Sequence, residues 1–124
     1  SYSFGFTEND ICLKTDVRVK PLEVDIAIPL GLIINELITN AFKHAFKDVK
    51  EPELSVSLKE DGHTLQLTIL DNGPGLPTDG PLKNEMSFGM EMIHSLLKQL
   101  RGELKTSSEG GSCFEITLPL SRTA

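Results

Sequence analysis

Hydrophobic positions along the chain change period several times, and each change predicts an element. In residues 11–19, Ile11, Leu13, Val17 and Val19 share one parity with Thr15 between them, which predicts a half-buried strand. Pro21 ends it. Over residues 28–46 the spacing becomes helical, with Leu30, Ile33, Ile34, Leu37, Ile38, Ala41 and Ala45 on the apolar side. Asp25 or Pro29 marks the start of this helix. Alternation returns at Leu54, Val56 and Leu58 and again at Leu65, Leu67 and Ile69, with a turn at residues 60–63 between the two strands. The Gly/Pro-rich stretch 76–85 predicts a surface loop. A second helix is predicted over 87–100, with Met90, Ile93, Leu97 and Leu100 on one face, Ser87 as its cap and Gly102 in the left-handed position past its end. Residues 103–107 and 113–118 predict a closing hairpin, and residues 1–6 an additional edge strand. The order strand, helix, two strands, loop, helix, two strands predicts an α+β fold. It is a two-layer α/β sandwich: a mixed, mostly antiparallel sheet with helices packed on one face.

Composition narrows the class. A length of 124 residues predicts one domain, spanning 1–124, large enough for a core without disulfides or a structural metal. With 39% hydrophobic and 24% charged residues, the chain has the make-up of a soluble globular domain. No uninterrupted apolar run reaches bilayer-spanning length and no signal peptide opens the chain, so no direct membrane contact is expected. Cys12 and Cys113 are expected to be reduced, as in a cytoplasmic protein, and no Cys/His cluster has zinc-ligand spacing. The net charge of −6 argues against nucleic acid as a partner, but an acidic chain can still bind a polyanion through magnesium and a few placed donors.

Four segments carry candidate chemistry. On the first helix Glu36, Asn40, Lys43 and Lys47 fall in one narrow stripe. A solvated face would look similar, yet a carboxylate, a carboxamide and a cation on successive turns also suit magnesium and phosphate. Mg²⁺ prefers hard oxygen ligands, which an Asn amide supplies. Asp71-Asn72-Gly73-Pro74-Gly75 follows a strand. Asn-Gly is an ordinary turn signal, but a carboxylate at a strand end can also accept from an exocyclic amine such as adenine N6, with Gly73 and Gly75 leaving room for the ring. Ser87-Phe88-Gly89-Met90 opens the second predicted helix, where free amides and the helix dipole favour an anion. Gly110-Gly111-Ser112 precedes the last strand and reads equally as a plain hairpin turn.

Taken in order, these segments resemble the GHKL ATPase superfamily, and within it the catalytic domain of sensor histidine kinases. The likeness runs from about Asp25 to Pro119. PLGLIINELITNAFKHAF (29–46) resembles the N-box, LDNGPGL (70–76) the G1 box, SFGMEMI (87–93) the G2 box, and EGGSCFEITLP (109–119) the final Gly-Thr-x-Phe segment. The Asn-Glu-Leu-x-x-Asn-Ala-x-Lys-His-Ala run and the serine-led G2 box are most similar to kinases of the HisKA_2 or HWE type. Three departures stand out: only Gly89 remains of the three G2 glycines, no separate phenylalanine box is present, and Ser112 replaces the usual threonine.

The resemblance implies a Bergerat fold with ATP and Mg²⁺ as cofactors. It implies that Asn40 and Glu36 serve the metal, Glu36 by orienting a water, and that Lys43 contacts phosphate with His44 nearby. Asp71 would bind adenine N6, helped by a water that Ser112 also holds. Gly73, Gly75 and Leu76 would line the base pocket, and the amides around Ser87, Phe88, Gly89 and Met90 would cradle phosphates. Residues 76–85 would form a short lid over the nucleotide.

The implied activity is γ-phosphoryl transfer to a histidine on a separate helical dimerisation domain, with a response regulator downstream. The isolated domain is expected to be monomeric and its parent homodimeric, with any membrane anchor of the parent expected upstream. No helical hairpin precedes Asp25, so this chain is expected to lack its phosphoacceptor, and neither His63 nor His94 is placed to replace it. The same pocket also fits an anti-sigma-factor serine kinase, an ATP-driven clamp of the gyrase or chaperone kind, or a non-catalytic nucleotide-binding module. A neighbouring phosphorylatable hairpin in the parent would exclude the first, and the short lid disfavours the second.

Overall fold

Alternating burial along three neighbouring strands builds the centre of the molecule. Leu54, Val56 and Leu58 on β2 (Glu53–Asp61), Leu65, Leu67 and Ile69 on β3 (Thr64–Asp71), and Phe114, Ile116 and Leu118 on β5 (Ser112–Pro119) are all buried on one face. The computed structural model describes residues 11–45, 49–76, 80–108 and 110–120, with the side chains of residues 44, 45 and 82 outside that description. With β1 (Cys12–Arg18) and β4 (Glu103–Ser107) the sheet has five strands in the order β1-β2-β3-β5-β4. All pairings are antiparallel except β1 with β2, which flank the crossover helix α1 (Val24–Asn40). Helix α1 buries Leu30, Ile33 and Leu37 against the sheet, and α2 (Gly80–Leu100) buries Met86, Ile93, Leu97 and Leu100. Burying one such aliphatic side chain is worth about 2 kcal/mol. The expected two-layer α/β sandwich is therefore what forms.

Several expectations need correction. β1 is not half-buried. Leu13 and Val17 pair with Leu54 and Leu58, so they lie on the helix-bearing face, but they are 56% and 61% exposed because the helices do not cover this edge. Helix α1 starts at Val24, with Glu23 as its N-cap and Asp25 in its first turn. Pro29 is inside it rather than at its start, and Ile26 adds a turn packed on the core. Past Asn40 the helix widens into a π turn, Ala41–Ala45. The predicted edge strand 1–6, Phe46 and Lys47 lie outside the described residues.

The largest difference concerns residues 80–85, predicted as loop. They form the start of α2, because Met86, Met90, Ile93, Leu97 and Leu100 continue one apolar stripe. Pro81 is tolerated there because first-turn amides need no intrahelical acceptor. At the other end Arg101, not Gly102, adopts the left-handed conformation, with φ 60°. Gly102 and Arg101 donate to the carbonyls of Leu97 (2.8 Å) and Lys98 (3.2 Å), the paired bonds of a Schellman cap.

The stretch Val24–Lys43 is long and apolar enough to cross a bilayer by length and composition, contrary to the sequence expectation. Its inner face is the core of this domain. The two cysteines sit on β1 and β5 with β2 and β3 between them, roughly 14 Å apart by strand spacing, well beyond bridging distance.

Candidate active site

Strand β3 ends at Asp71, and the chain must turn there without leaving polar groups unsatisfied. Oδ1 of Asp71 accepts from the amides of Gly73 (2.9 Å) and Ser112 (3.2 Å). These bonds fix the carboxylate and leave its second oxygen for a ligand. Asn72 faces the opposite way: its Oδ1 accepts from the Glu53 amide and its Nδ2 donates to the Glu51 carbonyl, both at 2.8 Å. Gly75 has φ 99°, and a Cβ there would lie 3.0 Å from Ser108 Oγ. Ser108 Oγ also accepts from the Leu76 amide at 2.8 Å. The segment 71–76 is thus pinned at both ends to neighbouring loops. Gly111, at φ 130°, packs so closely on the Asp71 carbonyl that any Cβ would collide with it.

Asn40 closes the far side. It is 7% exposed, and its Nδ2 has no hydrogen-bond partner among the described residues. An unpaired buried amide costs about 1–3 kcal/mol, so a ligand is the natural partner. Asn40, Asp71, Gly75, Leu76 and the buried Ser112 line one cavity of about 20 Å³, beneath Met86 and Phe114. That is room for about one water. Turning the Asn40 amide over presents its oxygen to the same space, which suits a hard cation. Among the described residues no three His, Cys, Asp or Glu side chains cluster as a ready-made metal site. Any Mg²⁺ would therefore depend on Asn40, water and phosphate oxygens.

Glu36, one turn before Asn40, lies against α2: a Cβ on Gly89 would fall 2.9 Å from Glu36 Cδ and collide with its carboxylate. Lys43 is carried by the π turn, a distortion common at functional sites. Its Nζ lies 3.7 Å from Glu85 Oε1. The His44 side chain lies outside the description. The structure therefore brings Glu36, Asn40, Asp71, Gly73, Gly75, Leu76 and Ser112 to one end of the two helices.

It does not deliver the expected phosphate cradle. Ser87, Phe88, Gly89 and Met90 lie beyond the first four residues of α2, so their amides are committed to helical carbonyls, and Phe88 is 78% exposed. A cavity of about 410 Å³ at the opposite end, between Leu22–Ile26 and Gln99–Arg101, contains none of the predicted site residues.

Residues 25–122 match the family described as histidine kinase-, DNA gyrase B-, and HSP90-like ATPase. The chain belongs to this ATPase family. Among relatives of this ATPase domain, blue-light-activated histidine kinase 2 of Erythrobacter litoralis is 32% identical over 114 residues, 89% of this chain and 33% of that protein. Sensor histidine kinase PdtaS of Mycolicibacterium smegmatis is 30% identical, across 92% of this chain and 25% of its own length. The chain spans about a third or less of these relatives. The histidine kinase domain of the Erythrobacter litoralis EL346 blue-light kinase superposes with a TM-score of 0.81 at 28% identity, covering 91% of this chain and 53% of that one. Histidine kinase AdeS of Acinetobacter baumannii shares the fold, with a TM-score of 0.72 at 21% identity over 93% of this chain and 57% of its own. This ATPase domain is thus of the sensor histidine kinase kind.

Sequence reasoning gave no role to Ser108, Glu85 and Met86, which the structure sets beside the candidate site, or to Asn72, which ties the turn to Glu51 and Glu53. Nothing marks Ser108, whose partner is 32 positions away. Met86 was legible: it continues the helical stripe four residues before Met90.

Proposed function

We propose that the domain binds Mg·ATP in the cavity between Asp71 and Asn40 and transfers the γ-phosphoryl to a histidine on a separate helical dimerisation domain of the same protein. The observation that carries this reading is the pairing of a fixed carboxylate with an unsatisfied buried amide: Asp71, held through one oxygen, faces the same cavity as Asn40. The free Asp71 oxygen accepts from the exocyclic amine of adenine, and the Ser112 hydroxyl holds a water beside that contact. Lys43 neutralises phosphate charge, while Glu36 orients a water. Bound Mg²⁺ would be held by Asn40 and phosphate oxygens and would supply charge neutralisation. In the transfer an imidazole nitrogen bonds to the γ-phosphorus as the bond to the β–γ bridging oxygen breaks. ADP leaves, and the imidazole proton passes to a base beside the acceptor.

A response regulator then takes the phosphoryl group from that histidine. Use of ATP favours a cytoplasmic site of action, in a parent proposed to dimerise through the helical domain. The test mixes this chain, Mg·ATP labelled at the γ-phosphate and the dimerisation domain of its parent. Acid-labile, alkali-stable label on that domain is expected. Label on serine instead would favour the anti-sigma-factor type of kinase.

A further inference from the structure

The proposed nucleotide site is filled by the protein's own second helix. Met86 is buried and roofs the cavity that Asp71, Asn40 and Ser112 line, which leaves only about 20 Å³. Pockets for small molecules run to roughly 300 Å³ or more. One residue earlier, Glu85 pairs with Lys43 at 3.7 Å. Three residues after Met86, Gly89 abuts the Glu36 carboxylate. The amides of residues 87–90 are spent on helical bonds. Residues 85, 86 and 89 lie within little more than one turn, so a single helical conformation makes every one of these contacts at once.

Met86 also has somewhere to go. On its other side, between α2 and β4, lies a cavity of about 330 Å³ walled by Leu104, Thr106 and Phe114. An unbranched thioether can swing between two such spaces at small cost. The ion pair weighs less in the balance, since Lys43 and Glu85 are both about half exposed.

We infer that residues 80–87, the first two turns of α2, are an internal competitor for the nucleotide. Met86 plugs the base pocket, Glu85 occupies Lys43, and the helical form withholds the amides that phosphates need. ATP is accepted by the form in which these turns have withdrawn, and its apparent affinity is lowered by the fraction of molecules still plugged. This inference rests on the reading of the Asp71–Asn40 cavity as the ATP site. It makes Met86 the residue that sets nucleotide affinity without touching phosphate, and it makes any partner that pulls on the start of α2 an activator.

The test combines ATP titration calorimetry in Mg²⁺ with hydrogen exchange of amides 84–90. It uses the wild-type chain, Met86→Ala, Met86→Leu, Asn84→Pro and Asp71→Asn, each checked for folding by circular dichroism. Met86→Ala empties the plug, and Asn84→Pro breaks the helical turns without altering the pocket wall. Both are expected to bind ATP at least about fivefold more tightly than wild type, with Met86→Leu close to wild type. Saturating ATP should strip protection from amides 84–90. If these amides stay protected, or if neither opened variant binds more tightly, while Asp71→Asn still binds at least about tenfold more weakly than wild type, the competitor is overturned and the ATP site stands. If none of the folded proteins binds ATP, the opened variants included, the reading of the site fails and the competitor falls with it.

Discussion

Ser108 Oγ accepts the amide hydrogen of Leu76 across 2.8 Å, tying the residue after β4 to the segment that follows Asp71. Because Gly75 sits beneath the same hydroxyl, with a positive φ, Ser108 fixes how this segment approaches the cavity proposed to hold the base. Ser108→Ala should cost about 0.5–1.5 kcal/mol of stability or less, since the bond is exposed. It should also weaken ATP binding several-fold, as calorimetry would show, with Ser108→Thr restoring most of it.

Asn40 sets function against stability. Its unpartnered buried Nδ2 is a standing cost in the free protein. Asn40→Leu keeps the volume and removes the amide, so thermal unfolding should show a domain as stable as wild type or stabilised by about 1 kcal/mol. The same variant should lose the Mg²⁺-dependent part of ATP binding. A variant that unfolds readily would mean that the amide is structurally satisfied and is not held for a ligand.

The central strands were legible because Leu54, Val56, Leu58, Leu65, Leu67 and Ile69 alternate with polar residues, and that period is enforced by burial on one face; the order of the five strands in the sheet was not. Asp71 and Asn40 were legible as candidate site residues from the spacing of their motifs, and the structure brings both to one cavity. What escaped was non-local. The Ser108–Leu76 bond joins residues 32 positions apart, and no local pattern announces it. Residues 80–85 were misread because Gly80 and Pro81 look like loop punctuation, whereas Pro81 in a first turn is compatible with a helix held by Met86. The exposure of Leu13 and Val17 is invisible in a single strand, since it depends on how far the helix layer extends.

Gly111 has no freedom to change. Its φ of 130° and its contact with the Asp71 carbonyl leave no place for a Cβ. Gly111→Ala should destabilise the domain by about 1–3 kcal/mol in denaturant titration and displace Asp71, so nucleotide binding should fall with it.

The cysteines report on the edge and the centre of the sheet. Cys12 is exposed on β1, while Cys113 is half-buried, and burial, followed by the Glu115 carboxylate, pushes its thiol up from the ordinary range. A raised pKa leaves less thiolate at neutral pH. Iodoacetamide at pH 7.5 should therefore modify Cys12 several-fold faster than Cys113, as read by peptide mass spectrometry, and the Cys113 rate should go on climbing at more alkaline pH.

The central claim is that Asp71 and its surroundings form a base-recognition site, and one titration tests it most directly. Asp71→Asn keeps the oxygen that accepts from Gly73 and Ser112 but replaces the free oxygen with a donor, so the fold should survive while the hydrogen bond to adenine N6 is lost. Calorimetric titration with Mg·ATP should show measurable binding to the wild-type chain and at least about tenfold weaker binding to Asp71→Asn, a loss of roughly 1.4 kcal/mol. Equal affinities for the two folded proteins would contradict the account.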